Sequence, residues 1–153
     1  AGVLFVGHSE AGKSTTTNLL TDAGMSGRLD VEVLCDDRNI VRRMVDGWRV
    51  YGSWSHGDVS LVSSANAPLR AICFIEKSDF NRIELMSDRN EVTRRLLACL
   101  IRPLMTSDWL EKTLDHVTMM MRQVPCYRMQ FDKSGKIVDE IIRITADRTE
   151  IIT

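Results

Sequence analysis

Gly7-His8-Ser9-Glu10-Ala11-Gly12-Lys13-Ser14 fits the pattern GxxxxGK[ST], and no other stretch of the chain restricts its fold so strongly. The pattern works only where a strand stops, the backbone curls and a helix begins. Glycines let successive N–H groups wrap an anion, and the following helix points its positive end at the same place. The flanks agree with this. Val3-Leu4-Phe5-Val6 is a short apolar run of strand formers ending at Gly7, and residues 13–20 read as a helix. In such a loop Lys13 brings a mobile charge to the β- and γ-phosphates, and the Ser14 hydroxyl ligates Mg²⁺. Gly7, His8, Ser9, Glu10, Ala11, Gly12, Lys13, Ser14 and Thr15 are therefore the candidate binding residues for ATP or a related polyphosphate. Glu10 is unusual here, because a carboxylate facing the anion would repel it. The middle positions of the pattern vary, so its side chain is expected to point outward into solvent.

Beyond the loop, the sequence reads as one α/β domain. Its 153 residues, 44% apolar and 27% charged, suit a single globular unit with no repeat or low-complexity segment. Residues 31–35 alternate as a strand and run into Asp36-Asp37. Residues 40–45 and 48–51 form two more expected strands, turning at Asp46-Gly47, before a loop with Gly52, Ser53, His56 and Gly57. A further strand is expected at residues 71–75, with Pro68 before it. Val92, Leu96, Leu97 and Leu100 recur at helical spacing until Pro103. Asp108 and Glu111 resemble a capping box for a second helix, whose Leu110, Leu114, Val117 and Met121 share a face. Tyr127, Met129 and Phe131 alternate as a strand, Asp132-Lys133-Ser134-Gly135 turns, and residues 137–144 fit either helix or strand.

Several function classes are disfavoured. A net charge of −1 lacks the basic excess that phosphate-backbone binding uses, so no nucleic-acid partner is expected. No apolar run approaches the roughly 20 residues of a membrane span, and no signal-peptide pattern is seen. Cys35, Cys73, Cys99 and Cys126 form no CxxC pair, which reads as four buried thiols in a reducing cytoplasm. Ala1 falls almost directly on a strand, so native sequence upstream of it is expected.

Asp36-Asp37 follows an alternating segment about twenty residues past the loop, by count along the chain. Adjacent acids at such a place can hold Mg²⁺ and accept a hydroxyl proton, two tasks that phosphoryl transfer requires. A polar turn would explain the pair equally well.

The order of further segments adds to this. The loop, Val33-Leu34-Cys35-Asp36-Asp37-Arg38, residues 48–51, Ser55-His56-Gly57 and Ala67-Pro68-Leu69-Arg70-Ala71-Ile72 together resemble the HPr kinase/phosphorylase family. They are similar above all to its HPr-kinase-like relatives, which share a fold with phosphoenolpyruvate carboxykinase. Val124-Pro125-Cys126-Tyr127-Arg128-Met129-Gln130-Phe131 fits the same relatives. The resemblance implies a mixed sheet curled into a barrel-like shape with helices on one side. It implies an enzyme, a serine phosphotransferase that moves phosphate from ATP to a protein or peptide. Family analogy extends to homo-oligomerisation. Lys13 and Ser14 would then hold phosphate and metal. Asp36 and Asp37 would supply a metal contact and a catalytic base, in either order, and Arg70 would counter phosphate charge. Two departures stand out: Glu10 replaces the family's usual glycine, and Pro68 replaces an acidic residue two positions before the arginine. These departures count against the phosphorylase reaction. They support one alternative, a degenerate nucleotide-binding module, and a small-molecule kinase of the same fold stands as another. His56, His8 and His116 read as structural histidines, Met119-Met120-Met121 as adaptable core, and Arg42-Arg43 and Arg94-Arg95 as solvated faces.

Overall fold

The apolar run at residues 71–75 is the middle of a twelve-residue strand, β4 (Asn66–Lys77), along which the other strands assemble. The computed structural model describes residues 1–55, 57–101 and 106–146; His56 and Pro103 lie outside the described residues. β3 (Gly47–Tyr51) pairs antiparallel with the start of β4, β1 (Gly2–Val6) parallel with its middle, and β6 (Cys126–Phe131) parallel with its end. β2 (Ile40–Met44) forms a hairpin with β3, where Gly47 takes a φ of 118° that suits glycine alone. β5 (Arg82–Leu85) lies antiparallel on β6. The order is β2-β3-β4-β6-β5 with β1 beside β4, giving a six-stranded mixed sheet that is open and not closed into a barrel.

Alternation along β4 sends side chains to two cores. Ile72 and Phe74 pack with Val92 and Leu96 of α2 (Arg89–Cys99) and with Val117 and Met120 of α3 (Ser107–Gln123). Ala71, Cys73 and Ile75 pack with Leu20 and Ala23 of α1 (Lys13–Met25) and with Ile137, Val138, Ile141 and Ile144 of α4 (Ile137–Ala146). Helices therefore cover both faces, in place of the one-sided arrangement that the family resemblance implied. Burial pushes the Cys73 thiol up to about 12, with the neighbouring Cys126 adding to the effect, and burial raises Cys126 itself to about 11. Both are inert core groups. Among the described residues no helix is long and apolar enough to cross a membrane.

Other expectations change in instructive ways. Residues 31–35 join no sheet; a single bridge between Cys35 and Val62 is their ladder contact. Their alternation reflects side-chain packing, with Val31 against the α1–α4 core and Leu34 against the other. β4 begins earlier than expected and includes Pro68, which faces Arg49 in the last β3–β4 pair, where a missing N–H is tolerated. α1 continues past Gly24 to Met25. Thr106, not Asp108, caps α3 by accepting from the Trp109 N–H, and Asp108 instead pairs with Lys112 at 2.8 Å. Leu110 and Leu114 are 40% and 37% exposed, and the buried side of α3 runs through Val117 and Met120. Residues 137–144 are helical, since Ile137, Val138, Ile141 and Ile144 repeat on one buried face. Arg95 is no solvated arginine: it bonds Glu76 at 2.6 Å and Glu91 at 2.9 Å, over the ring of Phe74.

The turn between β6 and α4 gives a pH test. Hydrogen bonds from the Ser134 hydroxyl, from Asn81 and from the Ser134 backbone hold the Asp132 carboxyl down at about 2, against an ordinary 3.8. A depressed carboxyl stabilises the fold fully above about pH 4 and loses that contribution as pH falls towards about 2. Urea unfolding across this window should show a shallower acid decline for Asp132→Asn than for the parent.

Candidate nucleotide-binding site

Parallel strands leave a crevice beyond their carboxyl ends, and the GxxxxGKS loop sits there. It follows β1, with β4 and β6 beneath it. A side chain at Gly7 would meet Ala11 and Ile75 at 2.8 Å, and one at Gly12 would meet the Phe131 ring at 2.9 Å. Both glycines are required by close approach, and Gly12 also by a φ of 111°. The loop is a tight turn in which the Ala11 N–H donates to the His8 carbonyl at 3.1 Å.

Glu10 occupies the third position of that turn with a φ of 65°, the one described non-glycine residue in the left-handed region. That conformation favours glycine or asparagine. Its side chain is exposed, in line with the outward orientation expected from the sequence.

Lys13 folds back over the loop, donating from Nζ to the carbonyls of Gly7 at 3.0 Å and His8 at 3.1 Å. The ammonium is thus held against the backbone of the loop itself. α1 begins at Lys13 with Gly12 as a cap that has no side chain, and its first turn carries no acid. α2 and α3, by contrast, have side-chain caps and acids in their first turns. The start of α1 accordingly has no cap or acid of its own, and the carboxylate near it comes from another loop. Thr16, 1% exposed, donates to the Gly12 carbonyl and ties the first turn to the loop.

The acid pair reaches this site through a second loop. Asp36, 7% exposed, accepts from the Gly57 N–H at 2.7 Å with Oδ1 and from the Val59 N–H at 2.9 Å with Oδ2. Cys35 donates to the Ser55 carbonyl, and Ser53 to the Arg38 carbonyl. These bonds stitch Ser53, Ser55, Gly57 and Val59 onto residues 35–38. Between the two N–H groups that Asp36 grips stands Asp58, and the Ser14 hydroxyl donates to its Oδ2 at 3.4 Å. Asp37 is exposed beside Gly57 and makes a loose ion pair with Arg38 at 3.5 Å.

Lys13, Ser14, Asp36 and Asp37 are therefore brought into one neighbourhood. Arg70 is not. The β1–β4 register passes from Gly2–Leu69 to Val3–Ala71, so Arg70 is the extra residue of a bulge, turned out of both cores. It lies five residues before Ile75, or about 16 Å along the strand from the floor of the loop. A cavity of about 350 Å³ adjoins Lys13 and Asp36, lined also by Thr17, Leu34 and Asn39. Its size falls in the range of small-ligand pockets. Asp58 escaped sequence reasoning, since its partner Ser14 stands 44 positions away and no spacing rule links them.

The strained turn makes a direct prediction. Glu10→Gly removes a left-handed conformation that costs about 1–2 kcal/mol, partly offset by glycine's greater freedom when unfolded. Urea unfolding should show a net gain of about 0.5–1 kcal/mol, whereas Gly12→Ala should lose about 2 kcal/mol or more. Protein-family models, curated proteins and solved structures offer no match to this chain, so the chemistry of the site rests on its own residues.

Proposed function

We propose that this chain binds ATP with Mg²⁺ at the Gly7–Ser14 loop and transfers the γ-phosphate to a serine hydroxyl of a protein or peptide. The observation that carries the reading is an acid delivered to a phosphate-type loop: Asp58 meets Ser14 in the first turn of α1, on a segment that Asp36 grips and beside which Asp37 stands. A loop that only held a nucleotide would have no use for an exposed carboxylate such as Asp37 beside it. The resemblance to HPr-kinase-like proteins, with their phosphoenolpyruvate carboxykinase fold, supports the choice of a serine acceptor and a cytoplasmic setting.

Phosphoryl transfer asks the protein to position groups and neutralise charge. In this reading the loop N–H groups and the α1 terminus cradle the phosphates. Lys13 exchanges its two carbonyl partners for phosphate oxygens. Asp37, exposed and close to Gly57, orients the acceptor hydroxyl and takes its proton. The Ser14 hydroxyl and a carboxylate would be the oxygen donors for Mg²⁺, which would supply neutralisation of phosphate charge. Asp36, the other expected metal contact, has both oxygens engaged by backbone N–H groups. One observation favours a second reading: Arg70 stands along β4 from the loop, which fits a nucleotide-holding module that does not catalyse.

Calorimetry and a transfer assay separate the readings. Lys13→Ala should abolish measurable Mg·ATP binding. Asp37→Asn should keep the fold and most of the affinity but slow transfer by about 10²–10⁴-fold. Phosphate transfer to candidate serine peptides is followed by mass spectrometry. A parent protein that binds Mg·ATP and phosphorylates nothing would favour the non-catalytic module.

A further inference from the structure

The carboxylate aimed at Ser14 is neither of the adjacent acids. Asp36 follows an alternating segment as a metal-binding acid would, yet its two oxygens each accept a backbone N–H, at 2.7 Å from Gly57 and 2.9 Å from Val59. A carboxylate 7% exposed and engaged in this way serves the loop it grips. The residue between the two donors is Asp58. Its Oδ2 lies 3.4 Å from the Ser14 oxygen, the hydroxyl that ligates metal in loops of this pattern. A hydroxyl and a carboxylate oxygen are hard donors, and among the described helices they stand at the one start that lacks both a capping side chain and a first-turn acid.

From this geometry we infer that Asp58, together with Ser14, holds the Mg²⁺ of the bound nucleotide, and that Asp36 is the positioning residue that keeps Asp58 there. The inference rests on the reading of residues 7–14 as a polyphosphate site, but not on catalysis. Mg²⁺ typically takes one or two carboxylates and completes its shell with phosphate oxygens and water. Among the described residues no group of three or more histidines, cysteines or acids could hold a metal ion, so the protein alone makes a weak site. Binding of the cation is therefore coupled to the nucleotide. Asp58 is exposed and belongs to a loop held from behind, which lets it adjust to the metal. Gly57 lies so close to the acid pair that a side chain there would come within 3.1 Å of the Asp36 carboxylate.

Mn²⁺ as a paramagnetic substitute tests this without an activity assay. Electron paramagnetic resonance measures free Mn²⁺ with and without ATP, and calorimetry measures ATP affinity with and without metal. The parent should bind Mn²⁺ much more tightly when ATP is present. Asp58→Asn should weaken Mn²⁺ in the ternary complex by about 10–100-fold while leaving metal-free ATP affinity unchanged or tighter. Asp36→Asn, which sets an amide against a backbone N–H, should weaken it in the same direction. In the double variant the second substitution should add little, because one acts through the other. Additive losses would overturn the positioning role and make Asp36 a ligand in its own right. Parent-like Mn²⁺ affinity in Asp58→Asn, with an unchanged circular dichroism spectrum, would overturn the site. A parent that binds ATP and Mn²⁺ as described but transfers no phosphate would leave this site standing and remove the kinase reading alone.

Discussion

Burial of β4 on both faces is the constraint from which the rest of the molecule follows. Ile72 and Cys73 are fully buried although they point to opposite sides of the sheet. Each fully buried aliphatic side chain contributes about 1.5–3 kcal/mol, so a strand apolar on two faces recruits helices to both. That recruitment places α1 and α4 on one side and α2 and α3 on the other. It also fixes where β1 and β6 end, and hence the height at which the loop after β1 lies. The positions beneath that loop, Ile75 and Phe131, are close enough to exclude any side chain at Gly7 and Gly12. The loop is thus cast against the sheet, not draped over it.

The second constraint is polar. The carboxylate of Asp36 would be costly to bury without partners, and it finds them in two main-chain donors of another loop. Sequence-distant segments become one unit by this means. Gly52 contributes to the same seam, since its backbone passes so close to the Leu34 and Ser63 carbonyls that only hydrogen fits. The acidic side of the site is therefore built on a rigid backing, with the charged tips of Asp37 and Asp58 left outside.

Local features were readable from the sequence, and tertiary ones were not. β1, the loop and the start of α1 announce themselves because the pattern encodes its own backbone geometry. The β2–β3 hairpin was visible through Asp46-Gly47, a turn pair whose glycine does take the positive φ. Residues 31–35 misled because alternation reports burial, while a strand also requires a neighbouring backbone, and none pairs with them beyond Cys35. The acidic doublet was conspicuous, but its division of labour depends on Gly57 and Val59, which no local pattern ties to it. The two-sided helix arrangement was likewise hidden, because the one-sided expectation came from a resemblance in short motifs, which carry no information on the layer order around them.

The fold of Lys13 over its own loop has a consequence for what can bind. The ammonium satisfies two carbonyl oxygens, so an incoming group must outcompete neutral dipoles and not merely fill a gap. A hydroxyl or an amide gains nothing in that exchange. A multiply charged anion gains the difference between a charge–dipole and a charge–charge interaction, which in a partly desolvated site is substantial. For the polyphosphate site proposed here, weakly charged solutes would leave these two hydrogen bonds in place, and only a ligand of high charge would displace them.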